Sequence, residues 1–548
     1  MDFYHKIEEL TKEFVAIRSV NGCPGGEKAA AIFLEGKLRL VPYFQQHPEQ
    51  VWHEQLNEDA LERRNVFALL KGTKRSSQQT IIWHGHMDTV GTEDFGMLEP
   101  WALQSEALLK RVLAMDIPAD MRSELESGEW LMGRGACDMK SGVAVFLVLL
   151  VYLSEHTESF AGNILFMSNP VEENQHLGAI QAVDTLCRLR EEQGLVYEFA
   201  INNDYICPLY AGDSRRYVYF GAAGKLLPCF YVRGQETHVG QCFEGFDAAA
   251  AVAAIVQHIN GQTVFSDGYD GEYTLPPAVL QLRDLKPEYN VQTVQEAVTY
   301  FNYFVHQESV LSILRRLKRA AEEALTEATD AQQEEQRAYI QRQHGLSMTS
   351  KKRFRVYTFV ELKEVLAGKV PSQVQQTLMK RLDQAVKRRQ DVREVAIDYV
   401  RGLARYLPTG ETAVVVFFAP PYCPYNTLRH EIPAEHALRD RLEHLVDEFA
   451  DESGESYEVR DFFPSLSDSS YLKIDDTTEA MKVLKENFPQ MEQLYPLPLE
   501  KIQRLDIPAV NFGCYGRDAH KWSERVYKPY SFQVLPELIL KTVQEFLA

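Results

Sequence analysis

Several short apolar runs end in a histidine or a carboxylate, and this pattern constrains the fold more than any other feature. The apolar run 81–83 leads into a His-x-Asp pair, and the runs 163–167 and 197–201 lead into further acidic residues. The polar residues after such runs, or in the loops between elements, are His86, Asp88, Asp138, Glu172, Glu173, Asp204 and His520. Helical periodicity separates the runs. The sequence therefore predicts an α/β fold with a mainly parallel sheet, whose strand ends carry a polar site.

A second domain is expected to interrupt the first. The chain has 548 residues, more than one hydrophobic core accommodates. The βαβ alternation runs to about residue 214 and resumes near 425, which predicts a discontinuous first domain (1–214 and 425–548) that carries the polar site, around an inserted α+β domain (215–424). The insertion carries two long, charge-rich helical stretches, 308–343 and 373–406. These stretches are either solvated arms or a platform for a protein partner.

Charge and composition limit the partners. The formal net charge of -20 argues against nucleic-acid and anionic-membrane binding, both of which need a basic face. The amino terminus predicts a charged amphipathic helix without the apolar core of a secretion signal, and no apolar run approaches a membrane span. Eight scattered cysteines form no CxxC pair, as is typical of a reduced protein. We expect a cytoplasmic protein, monomeric or homodimeric, that acts on a small molecule.

The His-x-Asp pair predicts one metal ligand and one orienting group. Residues two apart in a strand point to the same side, so His86 can bind a metal while Asp88 holds the imidazole. Such a pair is usually incidental when it stands alone, and its value here comes from the other residues. Asp138 lies in a glycine-punctuated loop just before a predicted helix, where it either caps the helix or bridges two cations.

The adjacent pair Glu172-Glu173 favours cation binding, because neighbouring carboxylates repel one another unless cations or protons neutralise them. We assign metal binding to Glu173 and removal of a proton from the attacking water to Glu172. With Asp138 shared, one metal would take His86 and either Glu173 or Asp204, and the other would take His520 and the remaining carboxylate. Nitrogen and oxygen ligands suit zinc, cobalt or manganese. Two cations about 3.5 to 4 Å apart can clamp both the attacking oxygen and a substrate carbonyl.

The ordered motifs HGHMDTV (84–90), GRGACDMKSG (133–142), PVEENQHLGA (170–179) and DAHKWSER (518–525) resemble the dinuclear M20 metallopeptidase and deacylase family over nearly the whole chain. The resemblance implies two divalent metal ions, with zinc first and cobalt or manganese as alternatives. It implies that the metal ligands are His86, Asp138, Glu173, Asp204 and His520. It also implies that Glu172 is the general base, that Asp88 is the orienting residue, and that the insertion is the family's lid or dimerisation domain.

Within the family, the long lid and the segment FFPSLSDSSY (462–471) are most similar to the RocB-type arginine-utilisation proteins. By the same resemblance His238, in GQETHVG, would contact the substrate oxyanion, unless it is an ordinary loop histidine. Asn290 and Asp468 would line the substrate pocket, or are turn residues. The implied activity is hydrolysis of an amide bond in a small peptide or N-acyl amino acid. The alternative is a non-catalytic, metal-binding member that serves as an amino-acid-binding or scaffold protein.

Overall fold

The computed structural model describes residues 2–347 and 352–548, which form two compact units. The first unit comprises the residues up to Ala222 together with Asn426–Ile474 and Pro498–Ala548, and the second comprises Ala223–Tyr425 and Asp475–Leu497. The predicted domain boundaries at 214/215 and 424/425 remain a prediction. The structure adds that the segment Asp475–Leu497 groups with the second unit.

The first unit is built from a large sheet, a small sheet, a two-stranded ladder and the helices between them. Its strands are β1 (Val51–Gln55), β2 (Arg64–Lys71), β3 (Gln79–His86), β4 (Trp130–Met132), β5 (Asn163–Asn169), β6 (Val196–Asn202), β7 (Arg216–Tyr219), β8 (Gly221–Ala222), β17 (Asn426–Thr427), β18 (Tyr457–Arg460), β19 (Ala509–Phe512), β20 (Gly516–Arg517) and β21 (Arg525–Tyr527). Its helices are α1 (Phe3–Val15), α2 (Gly26–Arg39), α3 (Pro42–Gln46), α4 (Ser105–Leu113), α5 (Ala119–Glu126), α6 (Lys140–Ser154), α7 (Leu177–Gln193), α13 (Pro433–Ser453), α16 (Leu499–Leu505) and α17 (Leu535–Phe546).

The large sheet has eight strands in the order β1-β2-β5-β3-β6-β19-β7-β18. Its centre, β5-β3-β6-β19, is parallel throughout. Three pairs are antiparallel: β1 with β2, β2 with β5, and β19 with β7. The pair at the other edge, β7 and β18, is parallel. The α/β class predicted from the sequence is confirmed. The sheet is mixed, and it is parallel where the predicted site residues follow the strands.

Burial on both faces explains why each central strand carries an apolar run, such as Ile81–Trp83 in β3 and Ile164–Met167 in β5. Every residue of β3 from Thr80 to His86 is buried, and so is every residue of β5. Helix α6 packs beside β3, with its residues from Lys140 to Leu150 all buried, so its apolar sequence is that of a core helix. Trp83 stacks on Phe146 with ring centroids 5.1 Å apart. The strand ends that carry polar residues are therefore mounted on a close-packed core.

The second unit has its own sheet and core. Its strands are β9 (Gly224–Leu226), β10 (Pro228–Arg233), β11 (Gly268–Tyr269), β12 (Glu272–Tyr273), β13 (Ala278–Asp284), β14 (Glu296–Val305), β15 (Arg355–Thr358) and β16 (Ala413–Phe418). Its helices are α8 (Ala248–Ile259), α9 (Val310–His344), α10 (Phe359–Val365), α11 (Ser372–Lys387), α12 (Val392–Ala404), α14 (Thr478–Glu486) and α15 (Met491–Leu494). The main sheet runs β13-β14-β10-β16-β15, with β9 paired to β14.

The two long helical stretches of the second unit are helical as predicted, but one is partly buried and the other is divided into two helices. Helix α9 is continuous over 35 residues, about 50 Å, but it is not a solvated arm along its whole length. An apolar stripe from Val310 to Leu325 is buried within the unit. The stretch 373–406 is two helices, because Arg389 takes a left-handed φ of 57° and Asp391 caps the start of α12. Among the helices of the described residues, none combines the length and apolarity needed to cross a bilayer.

Candidate metal centre

Three parallel strands deliver the first group of predicted residues to one edge of the large sheet. His86, the last residue of β3, lies level with Asn169 at the end of β5. Its strand neighbour His84 lies level with Asn202 at the end of β6. Glu172 and Glu173 follow β5 by three and four residues, and Asp204 follows β6 by two. The register thus brings the residues after all three strands to the same edge.

A small antiparallel sheet, β20-β21-β4, carries the remaining two predicted metal ligands in its loops. The loop after β4 carries Asp138 and the loop between β20 and β21 carries His520. A buried ion pair joins these loops, with Arg134 Nη1 2.7 Å from Glu524 Oε2. The other oxygen of Glu524 accepts the backbone N–H groups of Cys137 at 3.1 Å and Asp138 at 3.3 Å. The ion pair and these two hydrogen bonds hold Asp138 close to His520, although the two residues are 382 positions apart in the chain.

Asp138 stands between the two histidines. Its Oδ1 is 3.0 Å from His86 Nε2, and its Oδ2 is 3.1 Å from His520 Nε2. The same nitrogen of His520 lies 3.1 Å from Glu173 Oε2. Potential ligand atoms of His86, Asp138 and Glu173 all lie within 4.8 Å of one another. One carboxylate that faces two imidazoles through different oxygens has the arrangement of a group that bridges two cations.

Asp88 organises the site through more contacts than the sequence suggested. The His86 Nδ1 atom lies within hydrogen-bonding distance of the backbone oxygen of Asp88, at 3.1 Å. The Asp88 carboxylate is farther from Nδ1, at 3.7 Å. A hydrogen bond from Nδ1 to that carbonyl leaves Nε2 of His86 available to a metal. The Asp88 carboxylate accepts the backbone N–H groups of Glu172 at 3.1 Å and Glu173 at 3.2 Å, and the Asn21 amide at 2.9 Å. It therefore anchors the turn that carries both glutamates.

The site concentrates buried negative charge. Burial, reinforced by the charge of Asp138, raises the pKa of Asp204 to about 8 and raises the pKa of Glu173. Burial also raises the pKa of Glu172 well above its usual value, against the opposing effect of His86. Burial disfavours the anion of Asp138 too, but hydrogen bonds from His520 and His86 hold its pKa below the usual range. Carboxylates packed this closely fit divalent cations, which would neutralise them together.

Two predicted residues, His238 and Asn290, belong to the second unit. His238 is exposed, and its Nδ1 accepts the backbone N–H of Gly240 at 3.1 Å. With Nδ1 as the acceptor, the ring proton resides on Nε2, which can then donate a hydrogen bond. Asn290 is exposed, and its side-chain oxygen accepts the N–H of Gln292 at 3.2 Å. This bond is the local turn interaction considered as the alternative for Asn290.

Asp468 lies in the first unit and is buried. Its Oδ1 atom is 3.0 Å from His176 Nδ1. His176 was not singled out in the sequence, although it stands four residues after Glu172. Arg134 and Glu524 were missed as well, because each lies four residues from a predicted ligand and acquires its role only through the other. Their signal is weak in a single sequence, since a charged residue near a ligand is ordinarily solvated.

Gly513 marks a close approach of two backbone segments at Asp204, a predicted metal ligand. A Cβ at this position would lie 1.9 Å from the backbone oxygen of Asp204, so Gly513→Ala must displace that loop. We expect Gly513→Ala to lower the free energy of unfolding by about 1–3 kcal/mol and to weaken metal binding, as measured by denaturant titration and elemental analysis. Gly36→Ala is the control, because nothing lies within 4 Å of its Cβ position in helix α2. Unchanged metal content in Gly513→Ala would contradict the placement of Asp204.

A family model, curated relatives and solved structures were each compared with this chain, and all three point to M20-type proteins. A family model described as Peptidase family M20/M25/M40 matches residues 82–544. The chain is 37% identical to Protein RocB of Bacillus subtilis (strain 168), over 99% of this chain and 95% of that protein. It is 26% identical to a succinyl-diaminopimelate desuccinylase of Cupriavidus taiwanensis, over 46% of this chain and 57% of the relative. The crystal structure of Bacillus subtilis YXEP protein, titled a dinuclear metal binding peptidase, has a TM-score of 0.50 at 11% identity and covers 100% of this chain and 98% of its own.

Proposed function

The chain belongs to peptidase family M20/M25/M40, a family of hydrolases, and on that premise we propose that it cleaves an amide bond in a small peptide or N-acyl amino acid with two divalent metal ions. The observation that carries the proposal is the position of Asp138 between His86 and His520, at 3.0 and 3.1 Å. The desuccinylase and the dinuclear peptidase among its relatives support the same chemistry.

The geometry favours one of the two ligand divisions left open by the sequence. Glu173 lies 3.1 Å from His520, so these two would share one metal with Asp138. Asp204, whose pKa responds to the charges of Asp138 and His86, would complete the other with His86. When bound, the cations supply Lewis acidity for the substrate carbonyl and lower the pKa of a coordinated water to about 7. We propose zinc, with cobalt or manganese as alternatives of the same ligand preference.

Glu172 is the proposed general base. Its carboxylate lies 3.9 Å from His86 Nε2 and belongs to neither metal set, so it is available to take a proton from the attacking water. The same carboxyl group can then hand that proton to the departing amine. Asp88 holds the backbone of Glu172 and so orients the base together with the ligands. His238, with a donor at Nε2, is the proposed hydrogen-bond donor to the developing oxyanion.

A substrate screen with a chelator control tests the proposal. Dipeptides and N-acyl amino acids, with arginine-containing members to cover the arginine-utilisation context, would be assayed with zinc, cobalt or manganese. We expect hydrolysis of at least one substrate, loss of that activity on chelation, and its recovery when metal is restored. Hydrolysis that persists in the chelated, metal-free protein would refute the metal dependence. Binding of amino acids without any hydrolysis would favour the non-catalytic alternative.

A further inference from the structure

A buried histidine stands four residues after the proposed base and belongs to neither metal set. His176 has a left-handed φ of 56°, and its backbone N–H donates to the oxygen of Val171 at 2.8 Å. This bond closes the turn that carries Glu172 and Glu173, and the chain then enters helix α7. The turn directs the His176 ring back toward Glu172, and its side chain is fully buried.

The Nδ1 atom of His176 faces two carboxylates. It is 3.0 Å from Asp468 Oδ1 and 3.8 Å from Glu172 Oε1. The position of Asp468 is itself fixed, because the neighbouring Ser467 hydroxyl accepts a hydrogen bond from Asn202 at 3.0 Å. Asn202 is the last residue of strand β6. Asp468, and through it the imidazole, is therefore tied to the rigid edge of the sheet that presents the metal ligands.

The Glu172 carboxylate has few other restraints. Within the described parts of the chain it forms no hydrogen bond shorter than 3.5 Å, and its two closest basic nitrogens are His176 Nδ1 at 3.8 Å and His86 Nε2 at 3.9 Å. His86 is directed toward Asp138 instead, at 3.0 Å. A general base has to keep one oxygen in line with the proton that it takes. The attraction of the held imidazole is the interaction available to set that orientation.

We propose that His176, held by Asp468, is a positioning residue that fixes the Glu172 carboxylate for proton transfer. The inference rests on the proposed function, in which Glu172 is the base. It gives Asp468 a role that differs from the substrate contact expected from the sequence, because Asp468 acts on the reaction through His176. The distinction is measurable, since a positioning defect lowers kcat while a lost substrate contact raises KM.

Kinetics of paired variants test the arrangement. We expect His176→Leu to lower kcat about 10- to 100-fold, the usual effect of losing a residue that orients a metal site from outside the ligand set, with KM and metal content unchanged. His176→Asn, which can place an amide N–H near the position of Nδ1, should recover most of the loss. Asp468→Asn should also lower kcat without raising KM. In a Glu172→Gln background His176→Leu should cause no further loss, because the group that it positions is gone.

Ser469→Ala is the matched control. Ser469 lies in the same short turn as Asp468, but its hydroxyl bonds His84 Nε2 at 3.0 Å and does not face Glu172, so kcat should stay at the wild-type value. A raised KM in Asp468→Asn, or a full additional loss in the Glu172→Gln background, would overturn the inference.

Crystal structures provide a readout that needs no activity. In His176→Leu the Glu172 carboxylate should leave its wild-type rotamer while the metal ligands stay in place, and an unmoved carboxylate would overturn the inference. A wild-type protein that is inactive toward the whole substrate panel would refute the proposed function. In that event the carboxylate position in the two structures would still decide the role of His176.

Discussion

Glu172→Gln should retain both metal ions and lose turnover, with kcat about 10²- to 10⁴-fold below the wild type, the usual contribution of a general base. Glutamine has nearly the same shape as glutamate, but its amide cannot accept the proton of the attacking water. The backbone bond from Glu172 to Asp88, at 3.1 Å, does not depend on the side chain, so the turn should keep its conformation. Steady-state kinetics and elemental analysis of the purified variant provide the two measurements.

The neighbouring Glu173→Gln variant separates the loss of the base from the loss of a metal ligand. It is the same substitution one residue along the chain, but Glu173 lies 3.1 Å from His520 and is a proposed ligand. We expect this variant to lose metal and activity together. Wild-type turnover in Glu172→Gln, or the same metal loss in both variants, would show that the two glutamates do not divide the roles of base and ligand.

The candidate ligands could be located from the sequence because strand periodicity is a local property. An apolar run that ends in a polar residue identifies a strand end, and parallel neighbours bring such ends to one edge. His86 and Glu173 follow parallel strands and lie close together, as that reasoning required. Asp138 and His520 join them from loops of the small antiparallel sheet, which strand periodicity alone does not place there. The family resemblance carried the same residues, and the family itself is confirmed. Their roles as ligands remain predictions that the metal measurements test.

The interactions that hold these residues could not be predicted in the same way. The hydrogen bond between His176 and Asp468 joins residues 292 positions apart, and the ion pair between Arg134 and Glu524 joins residues 390 positions apart. Such pairs depend on which strands become neighbours, and local patterns leave that order open. The antiparallel placement of β2 beside β5 and the grouping of Asp475–Leu497 with the second unit are further results of long-range packing.

Asp138→Asn should remove more metal than the loss of either histidine. The carboxylate faces both His86 and His520, so its charge would stabilise two cations, whereas each histidine would hold one. We expect bound metal in Asp138→Asn to fall from two equivalents per chain toward none, while His520→Ala keeps one of them. Because the metals contribute several kcal/mol to transition-state stabilisation, the kcat/KM of Asp138→Asn should fall by about 10³-fold or more.

Thermal unfolding supplies an independent measure of the Asp138 site. At a metal concentration one hundred times the Kd, binding to the folded state stabilises a protein by about 2.7 kcal/mol, so wild-type Tm should rise when metal is added. Asp138→Asn should lose most of that rise. Asp184→Asn is the control: Asp184 is exposed, and among the residues that the structure describes its one ion pair is with the exposed Lys501, so the metal content and Tm shift of this variant should match the wild type. A full metal-dependent Tm shift in Asp138→Asn would mean that the cations bind elsewhere, because the proposed site requires the Asp138 anion between the two imidazoles.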